Sequence, residues 1–418
     1  MRVCILVFMT FAMPGVAYSQ PATPYAVVFD SYMTPAAGAQ NIVAAQRLLA
    51  SAEDRWLPGK LGAERSKPSL ALGILYRSGK FLALDMPQDH FLMVVGHEVF
   101  GHGARFRELG DGRLRYGFDA PIPYGSGDAF TNFNGAFPVS PLANLNVSAA
   151  GMEAQHSLAD AISERAVERG RLHYREGWLY VESRLTAMSY ILSASPTSVA
   201  GHDPADFLIA FRHACTAPCV PATRRQIQRG ALLALADPML YYALYGLTVS
   251  YIGSGETTGP MPLVPVGGDV NVMPSLGYTL VPYGTEWTVR TAVQDERRAQ
   301  NGQRRITSLT MRIGDTGASS TWGFGVRAAD VVRVRGLSFG VAVDAWRQPD
   351  LLADRTSDAQ HTGGSIIGSI VVPLPRALRS RWSEGILIAG GFKARGFVPG
   401  EQLSGGGVLR AGITMSAR

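Results

Sequence analysis

Charged side chains and cysteines are both scarce in this sequence. Charged residues make up 17% and hydrophobic residues 46% of the 418 residues, which is apolar for a soluble protein but is not the composition of a helical membrane protein. No run of lysine and arginine with interleaved aromatics occurs, so nucleic acid is not an expected partner despite the net charge of +6. No glycine-rich loop of the phosphate-binding kind is present either.

The first 19 residues have the pattern of a bacterial secretory signal, with Arg2, an apolar core, and small residues before a cleavage site. The sequence therefore predicts an exported protein, in the periplasm or the outer membrane of a Gram-negative bacterium. Removal of the signal takes Cys4 with it and leaves Cys215 and Cys219. In an exported protein two cysteines this close favour a local disulfide, and a metal-binding pair is the alternative.

Two histidines and a glutamate lie close together in an apolar segment, at His97, Glu98 and His102. A neutral imidazole is a good zinc ligand, and a carboxylate beside the first ligand can take a proton from a metal-activated water. In the zinc-peptidase signature H-E-x-x-H the histidines are four residues apart, but here they are five apart. Residues five apart diverge by roughly 140° on a regular α-helix. The spacing therefore predicts a π-bulge near Gly101, which returns both histidines to one face.

The segment His97-Glu-Val-Phe-Gly-His-Gly resembles the HELLGHG motif of the dipeptidyl peptidase III metallopeptidases, which also contain the extra residue. In that family the two histidines and a glutamate on a later helix bind zinc, and the motif glutamate activates water. The resemblance implies a zincin-type site in which His97 and His102 bind zinc and Glu98 is the base. It covers seven of the 418 residues.

A helix that starts at Ser148 and ends at Gly170 is predicted to supply the third ligand. Glu153, His156 and Asp160 are three or four residues apart and so share one face of that helix. Glu153 follows two alanines and a glycine, which permit close packing on the motif, and it is the predicted third ligand. Asp160 and His156 are predicted to contact the metal ligands, not the metal, and so to hold the ligands in position. His156 as a ligand and a simple solvated stripe are the alternatives.

After residue 253 the apolar pattern changes to a period of two, which predicts antiparallel strands. Alternating runs lie at 287–293, 309–313, 337–344, 366–372, 386–392 and 408–415. The predicted fold class is α+β, with a mainly helical zincin-like region over residues 20–255 and an antiparallel β-barrel or sheet over residues 256–418. An outer-membrane barrel has this alternation, and so has a soluble barrel or sheet.

The longest apolar stretch, residues 230–251, is long enough to span a bilayer. Asp237 and Pro238 interrupt it. A buried, broken helical hairpin is the preferred prediction, and a membrane-embedded or interfacial segment is the alternative.

Zinc-dependent hydrolysis of peptide bonds is the function that these patterns favour. His97, His102 and Glu153 are predicted to bind Zn²⁺, and Glu98 to act as the base on a peptide or protein substrate. Residues 91–95 before the motif are apolar on all sides, and burying the motif without partners would cost several kcal/mol. The alternative is a non-enzymatic outer-membrane protein with a structural metal or polar site. Hydrolysis of another amide, for example in the cell wall, is a third possibility.

Overall fold

A computed structural model of the chain describes residues 25–57, 67–125, 128–137, 140–195, 201–215, 219–300, 303–350, 360–380 and 383–415. The predicted secretory signal lies outside these ranges. Helices dominate up to residue 253 and strands dominate after it. The predicted α+β class is therefore confirmed.

The helical part consists of α-helices joined in places by short π-helical or 3-10 segments. The α-helices are α1 (Pro35–Trp56), α2 (Lys67–Lys80), α3 (Met86–Val95), α4 (Gly103–Leu109), α5 (Pro141–Arg169), α6 (Tyr174–Ser193), α7 (Asp203–Ala214), α8 (Arg224–Ala231) and α9 (Pro238–Tyr245). The π-helical segments are Phe81–Asp85, Gly96–His102 and Gly246–Gly253, and Leu232–Ala236 is a 3-10 turn. A second 3-10 turn, Arg376–Leu378, lies in the strand-rich part of the chain. The continuous helix formed by α3, the segment Gly96–His102 and α4 is here called the motif helix.

Helix α5 is the central helix of the molecule, and it contacts α1, α6, α7 and the motif helix. It starts earlier than predicted, because the Ser140 side chain accepts a hydrogen bond from the Ala143 backbone N–H at 3.1 Å and caps the helix. It ends at Gly170, as predicted, where a φ of 64° places the glycine in the left-handed region.

One large antiparallel sheet accounts for most strands. The strands are β1 (Tyr25–Asp30), β2 (Asp111–Phe118), β3 (Ala129–Ala136), β4 (Arg171–His173), β5 (Thr258–Pro260), β6 (Val264–Gly267), β7 (Val270–Val281), β8 (Gly284–Gln300), β9 (Gln303–Asp315), β10 (Ser320–Val334), β11 (Leu337–Pro349), β12 (Gln360–Pro373), β13 (Gly385–Lys393) and β14 (Gly406–Met415). Ten of them form the sheet, in the order β1-β14-β13-β12-β11-β10-β9-β8-β7-β6. Within the described residues its end strands β1 and β6 do not pair with each other, so the sheet is open.

The faces of this sheet have the reverse of the usual polarity. Side chains on the outward face are large, apolar and exposed, while the alternate residues of the same strands are polar and buried against the helical part. The exposed set includes Trp287, Val289, Met311, Ile313, Phe324, Ile366, Ile388, Phe392, Leu409 and Ile413, and the buried set includes Arg290, Arg312, Asp344, Gln348, Ser365, Lys393 and Thr414. In an antiparallel sheet with one face in water, the apolar side chains lie on the face that packs on the core. The outward face of this sheet therefore lacks the polar side chains expected at a water-exposed surface.

The sheet also recruits a strand from the start of the helical region. β1 pairs with β14 along its full length, from Tyr25 opposite Met415 to Asp30 opposite Arg410. β1 leads into α1, which contacts both α5 and the π-helical segment of the motif helix. The helical and β regions predicted as 20–255 and 256–418 are therefore joined by strand pairing as well as by packing.

The region between the motif helix and α5 contains a hairpin that the sequence pattern does not indicate. β2 and β3 pair antiparallel, in register from Asp111 opposite Ala136 to Phe118 opposite Ala129. Its glycines and asparagines obscure the alternation that identifies a strand. The hairpin packs Phe133 face to face on Phe106, with ring centroids 5.2 Å apart.

No single helix among the described residues is long and apolar enough to cross a bilayer. The two helical segments Arg224–Ala236 and Pro238–Gly253 meet that requirement only together, and they are bent by 52° at the break. The break lies at Asp237, whose carboxylate accepts a hydrogen bond from the Met239 N–H at 3.2 Å.

Candidate metal centre

The π-helical segment Gly96–His102 brings the two motif histidines together. The ring centroids of His97 and His102 are 4.9 Å apart, and their Nε2 atoms are 3.1 Å apart. Both side chains are buried. The π-type distortion predicted from the five-residue spacing is therefore confirmed, and its effect is to aim both imidazoles at one point.

Asp203, the first residue of α7, completes this group. Its Oδ2 atom lies 2.9 Å from Nε2 of His97 and 3.0 Å from Nε2 of His102. The three atoms thus form a nearly equilateral triangle. In a tetrahedral zinc site with bonds of about 2.0–2.1 Å, ligand atoms lie about 3.3 Å from one another. The triangle is close to that size, so the residues present fit a tetrahedral metal ion.

The hydrogen bond on the far side of His102 sets the tautomer that a metal requires. Nδ1 of His102 donates to the carbonyl oxygen of Val147 on α5 at 2.9 Å. Nδ1 therefore carries a proton, and Nε2, which points at His97 and Asp203, is the nitrogen that can bind a metal once its own proton is displaced. Histidine ligands of metals commonly donate their second ring N–H to a backbone carbonyl in this way.

The electrostatics of the group favour a cation at its centre. Burial alone would lower the pKa of His102, but the carboxylates of Asp203 and Glu98 raise it to about 9. Burial would raise the pKa of Asp203, yet His102 and His97 hold it well below its usual range. The site therefore keeps its carboxylate ionised and attracts positive charge, which a proton or a divalent ion can supply.

Glu98 is held beside the triangle by the β2–β3 hairpin. A carboxylate oxygen of Glu98 and the ligand nitrogens of His97 and His102 lie within 4.8 Å of one another. Thr131 on β3 donates a hydrogen bond from its hydroxyl to Oε2 of Glu98 at 2.6 Å. The carboxylate is thus oriented by a neighbouring strand and does not depend on the helix alone.

Glycines on both helices permit the close approach that this geometry needs. A Cβ atom on Gly151 of α5 would collide with the His97 imidazole, and one on Gly101 would lie 2.7 Å from the Ala150 carbonyl oxygen. Neither position therefore has room for a side chain. The small residues before Glu153 therefore act as predicted in letting α5 lie against the motif helix.

Glu153, the predicted third ligand, does not join the histidines. Arg105 on the motif helix approaches both of its carboxylate oxygens, at 2.8 and 2.6 Å, and the Gly400 N–H donates to Oε1 at 2.9 Å. The prediction fails because of helical phase: Gly151 faces His97, and residue 153 is rotated by about 200° from it. The ion pair Arg105–Glu153 is completely buried and is a structural contact between the two helices.

His156 and Asp160 are also displaced from their predicted supporting roles. Nδ1 of His156 donates to the Met152 carbonyl oxygen at 2.9 Å, and Asp160 pairs with Arg184 at 2.9 Å. Both residues line a cavity of about 910 Å³ between α5 and the polar face of the sheet. They lie on the side of α5 that faces the sheet, opposite the side that contacts the histidines.

Sequence reasoning missed Asp203 and Thr131. The segment His202-Asp203-Pro204 looks like an ordinary helix start, where an acidic residue and a proline are both common. Thr131 lies on β3, in the hairpin that the sequence pattern does not indicate. Neither residue carries a local signal, because their roles depend on which elements are neighbours in space.

Cys215 and Cys219 are joined as a disulfide at the end of α7. The Val220 N–H donates to the Gly317 carbonyl oxygen at 2.9 Å. This hydrogen bond connects the residue after the disulfide to the turn between β9 and β10.

Comparison of the chain with protein-family models, with curated proteins and with solved structures finds no match. The geometry of the site is therefore the basis for a function.

Proposed function

We propose that this chain is a zinc-dependent hydrolase of the cell envelope that cleaves peptide bonds. The proposal depends on the triangle of His97, His102 and Asp203, whose ligand atoms are 2.9–3.1 Å apart. Two histidines and a carboxylate are a donor set of catalytic zinc sites, in which the fourth position takes water or substrate. The local resemblance to the dipeptidyl peptidase III motif supports a peptide as the substrate.

The residues around the triangle have complementary tasks in such a reaction. A bound zinc ion supplies Lewis acidity, which makes a water more acidic and polarises a carbonyl. Glu98 accepts the proton of the attacking water as the new C–O bond forms, and donates it to the amine nitrogen as the C–N bond breaks. Thr131 keeps the Glu98 carboxylate oriented through both transfers, because it holds one of its oxygens at 2.6 Å.

We also propose that the enzyme is located at the outer membrane. The outward apolar face of the ten-stranded sheet, with polar side chains on its inner face, supports a sheet surrounded by lipid. The predicted secretory signal supports export. In this arrangement the helical part packs against the inner face of the sheet and carries the metal site.

The test compares wild-type protein with a Glu98→Gln variant, using elemental metal analysis and hydrolysis of a peptide library. The expected result is one zinc ion per chain in both proteins and hydrolysis reduced by about 10²–10⁴-fold in the variant. A wild type without stoichiometric metal overturns the site. Two histidines and one carboxylate can also bind iron. Bound iron in place of zinc contradicts the proposed hydrolytic function. Bound zinc with no hydrolysis by the wild type favours a structural site.

A further inference from the structure

The helical pair Arg224–Ala236 and Pro238–Gly253 lies along one edge of the sheet. Both of its halves contact β7, and the Leu276 N–H of β7 donates to the Asp237 carboxylate at 3.3 Å. Gly230 packs so closely on the Tyr278 ring of β7 that a Cβ atom would collide with it. Tyr278 in turn makes an edge-to-face contact with Trp287, at a centroid distance of 5.2 Å. Trp287 belongs to the exposed apolar face, so the helical pair adjoins that face directly.

The outward side of the helical pair has no charge over a long distance. Between Arg229 and Glu256 the sequence contains one charged residue, Asp237, and it is fully buried. The opposite side packs on the protein through small and apolar residues, while the outward side exposes large hydrophobic ones. The exposed residues are Leu232 (45%), Leu235 (44%), Tyr241 (56%), Tyr245 (47%) and Val249 (49%). A helix at a water-exposed surface would carry charged residues on this side.

Helix α2 extends the same surface. Its outward side, opposite Arg77, exposes Leu72 and Leu75, and Leu82 follows in the next turn. Arg77 on its inner side binds it to the end of the helical pair, with Nε donating to the Ile252 carbonyl oxygen at 2.9 Å. The exposed apolar side chains of the two helical elements therefore belong to one surface of the fold.

We propose that the outward side of α2 and of the helical pair is a lipid-contacting surface, which continues the apolar face of the sheet past its open edge at β6 and β7. The occupant is the hydrocarbon layer of a bilayer. This proposal rests on the outer-membrane location proposed above. It adds that the lipid-facing wall is built partly of helices, on the side where the ten strands do not close.

Charge at one end of the surface supports lipid as the occupant. Arg224, Arg225 and Arg229 are exposed at the start of the helical pair, directly before its uncharged region. Arginines at the border of an apolar helical surface are placed to bind the phosphates of lipid headgroups. The tyrosines Tyr241 and Tyr245 on the same surface combine an apolar ring with a polar hydroxyl, as side chains near a membrane interface commonly do.

The experiment measures how deeply single nitroxide labels lie in vesicles of phosphatidylethanolamine and phosphatidylglycerol. Leu75→Cys and Tyr245→Cys test the helical surface, Met311→Cys tests the sheet, and Arg113→Cys on the exposed β2 strand is the aqueous control. All are made in a Cys4→Ser background with the Cys215–Cys219 disulfide intact. Relaxation by oxygen, which concentrates in lipid, is compared with relaxation by a water-soluble nickel chelate.

The expected result is a high ratio of oxygen to nickel accessibility at 75, 245 and 311, and a low ratio at 113. Lipid accessibility at 311 together with a low ratio at 75 and 245 overturns the helical surface and leaves the membrane location intact. Low accessibility to both reagents at 75 and 245 also overturns it, because a protein partner or a second copy then covers the surface. A low ratio at all four positions overturns the membrane location as well.

Discussion

The Asp203 Oδ2 atom lies 2.9 Å from Nε2 of His97, although 106 residues separate the two in the sequence. The π-helical segment positions the histidines, and the start of α7 brings the carboxylate to them. Neither element makes a three-ligand site by itself. The metal site therefore depends on packing between α7, α5 and the motif helix.

Asp203 and Glu153 are expected to differ in their effect on metal binding. Asp203→Asn removes the ionised ligand, so zinc affinity in a chelator competition should fall by at least the 10–100-fold typical of lost supporting contacts. Glu153→Gln should leave the affinity within a few-fold of wild type, since Glu153 binds Arg105. Equal loss of zinc in both variants, with both still folded by circular dichroism, would contradict this assignment.

Thr131 is expected to influence catalysis without affecting metal content. Thr131→Val removes a hydrogen bond to a charged carboxylate, which is worth about 1.5–3 kcal/mol, so kcat should fall roughly tenfold or more. KM should change little, and Thr131→Ser should restore most of the rate because it keeps the hydroxyl. A serine variant as slow as the valine variant would show that the hydroxyl does not orient Glu98.

Gly151→Ala should destabilise the protein even though alanine is the better helix former. On an exposed helix this substitution stabilises by about 1 kcal/mol, but at 151 the new Cβ atom collides with the His97 imidazole. Gly79→Ala in α2 is the matched control, because no atom lies within 4 Å of its Cβ position. Opposite signs of the change in unfolding free energy are expected, together with weaker zinc binding in Gly151→Ala alone.

The buried pair Arg105–Glu153 should show strong coupling in a double-mutant cycle. Removing one partner leaves a buried charge and should cost about 3–5 kcal/mol of unfolding free energy. Replacing both, as in Arg105→Met with Glu153→Leu, should recover only part of that loss in denaturant unfolding, because Arg105 also pairs with the buried Glu108 carboxylate at 2.8 Å. Additive losses would mean that the two side chains act independently.

His156 is expected to make stability depend on pH below neutrality. Burial, together with the Arg184 charge and against the opposing effect of Asp160, lowers its pKa to about 4. The unfolded histidine takes up its proton near pH 6.5, so the unfolded state binds more protons and stability falls as the pH drops from about 6.5 to about 4. His156→Gln should reduce this slope in urea unfolding at pH 7, 5.5 and 4.5. An unchanged slope would contradict the assignment.

The predictable parts of the molecule were those with a local, periodic cause. The five-residue spacing of His97 and His102 required a π-helical turn, and the period-two runs after residue 253 lie within strands of the sheet. The β2–β3 hairpin was missed because its apolar alternation is weak. The strands β1, β4 to β7 and β10 have no counterpart among the predicted runs either.

The third metal ligand could not be identified from any one stretch of the sequence. Glu153 has the right chemistry and lies on the right helix, but two residues of helical rotation turn it towards Arg105. Asp203 is indistinguishable in sequence from an acidic residue at an ordinary helix start. The motif therefore identified the chemistry, and the tertiary fold determined which carboxylate takes part.

The pairing of β1 with β14 joins the two ends of the described chain. Tyr25 lies opposite Met415, and pairings between residues so distant in sequence are expected to form slowly. β1 leads into α1, which contacts the π-helical segment. A substitution that weakens the pairing of β14 with β1 is therefore expected to loosen α1 and, through it, the packing around the two histidines.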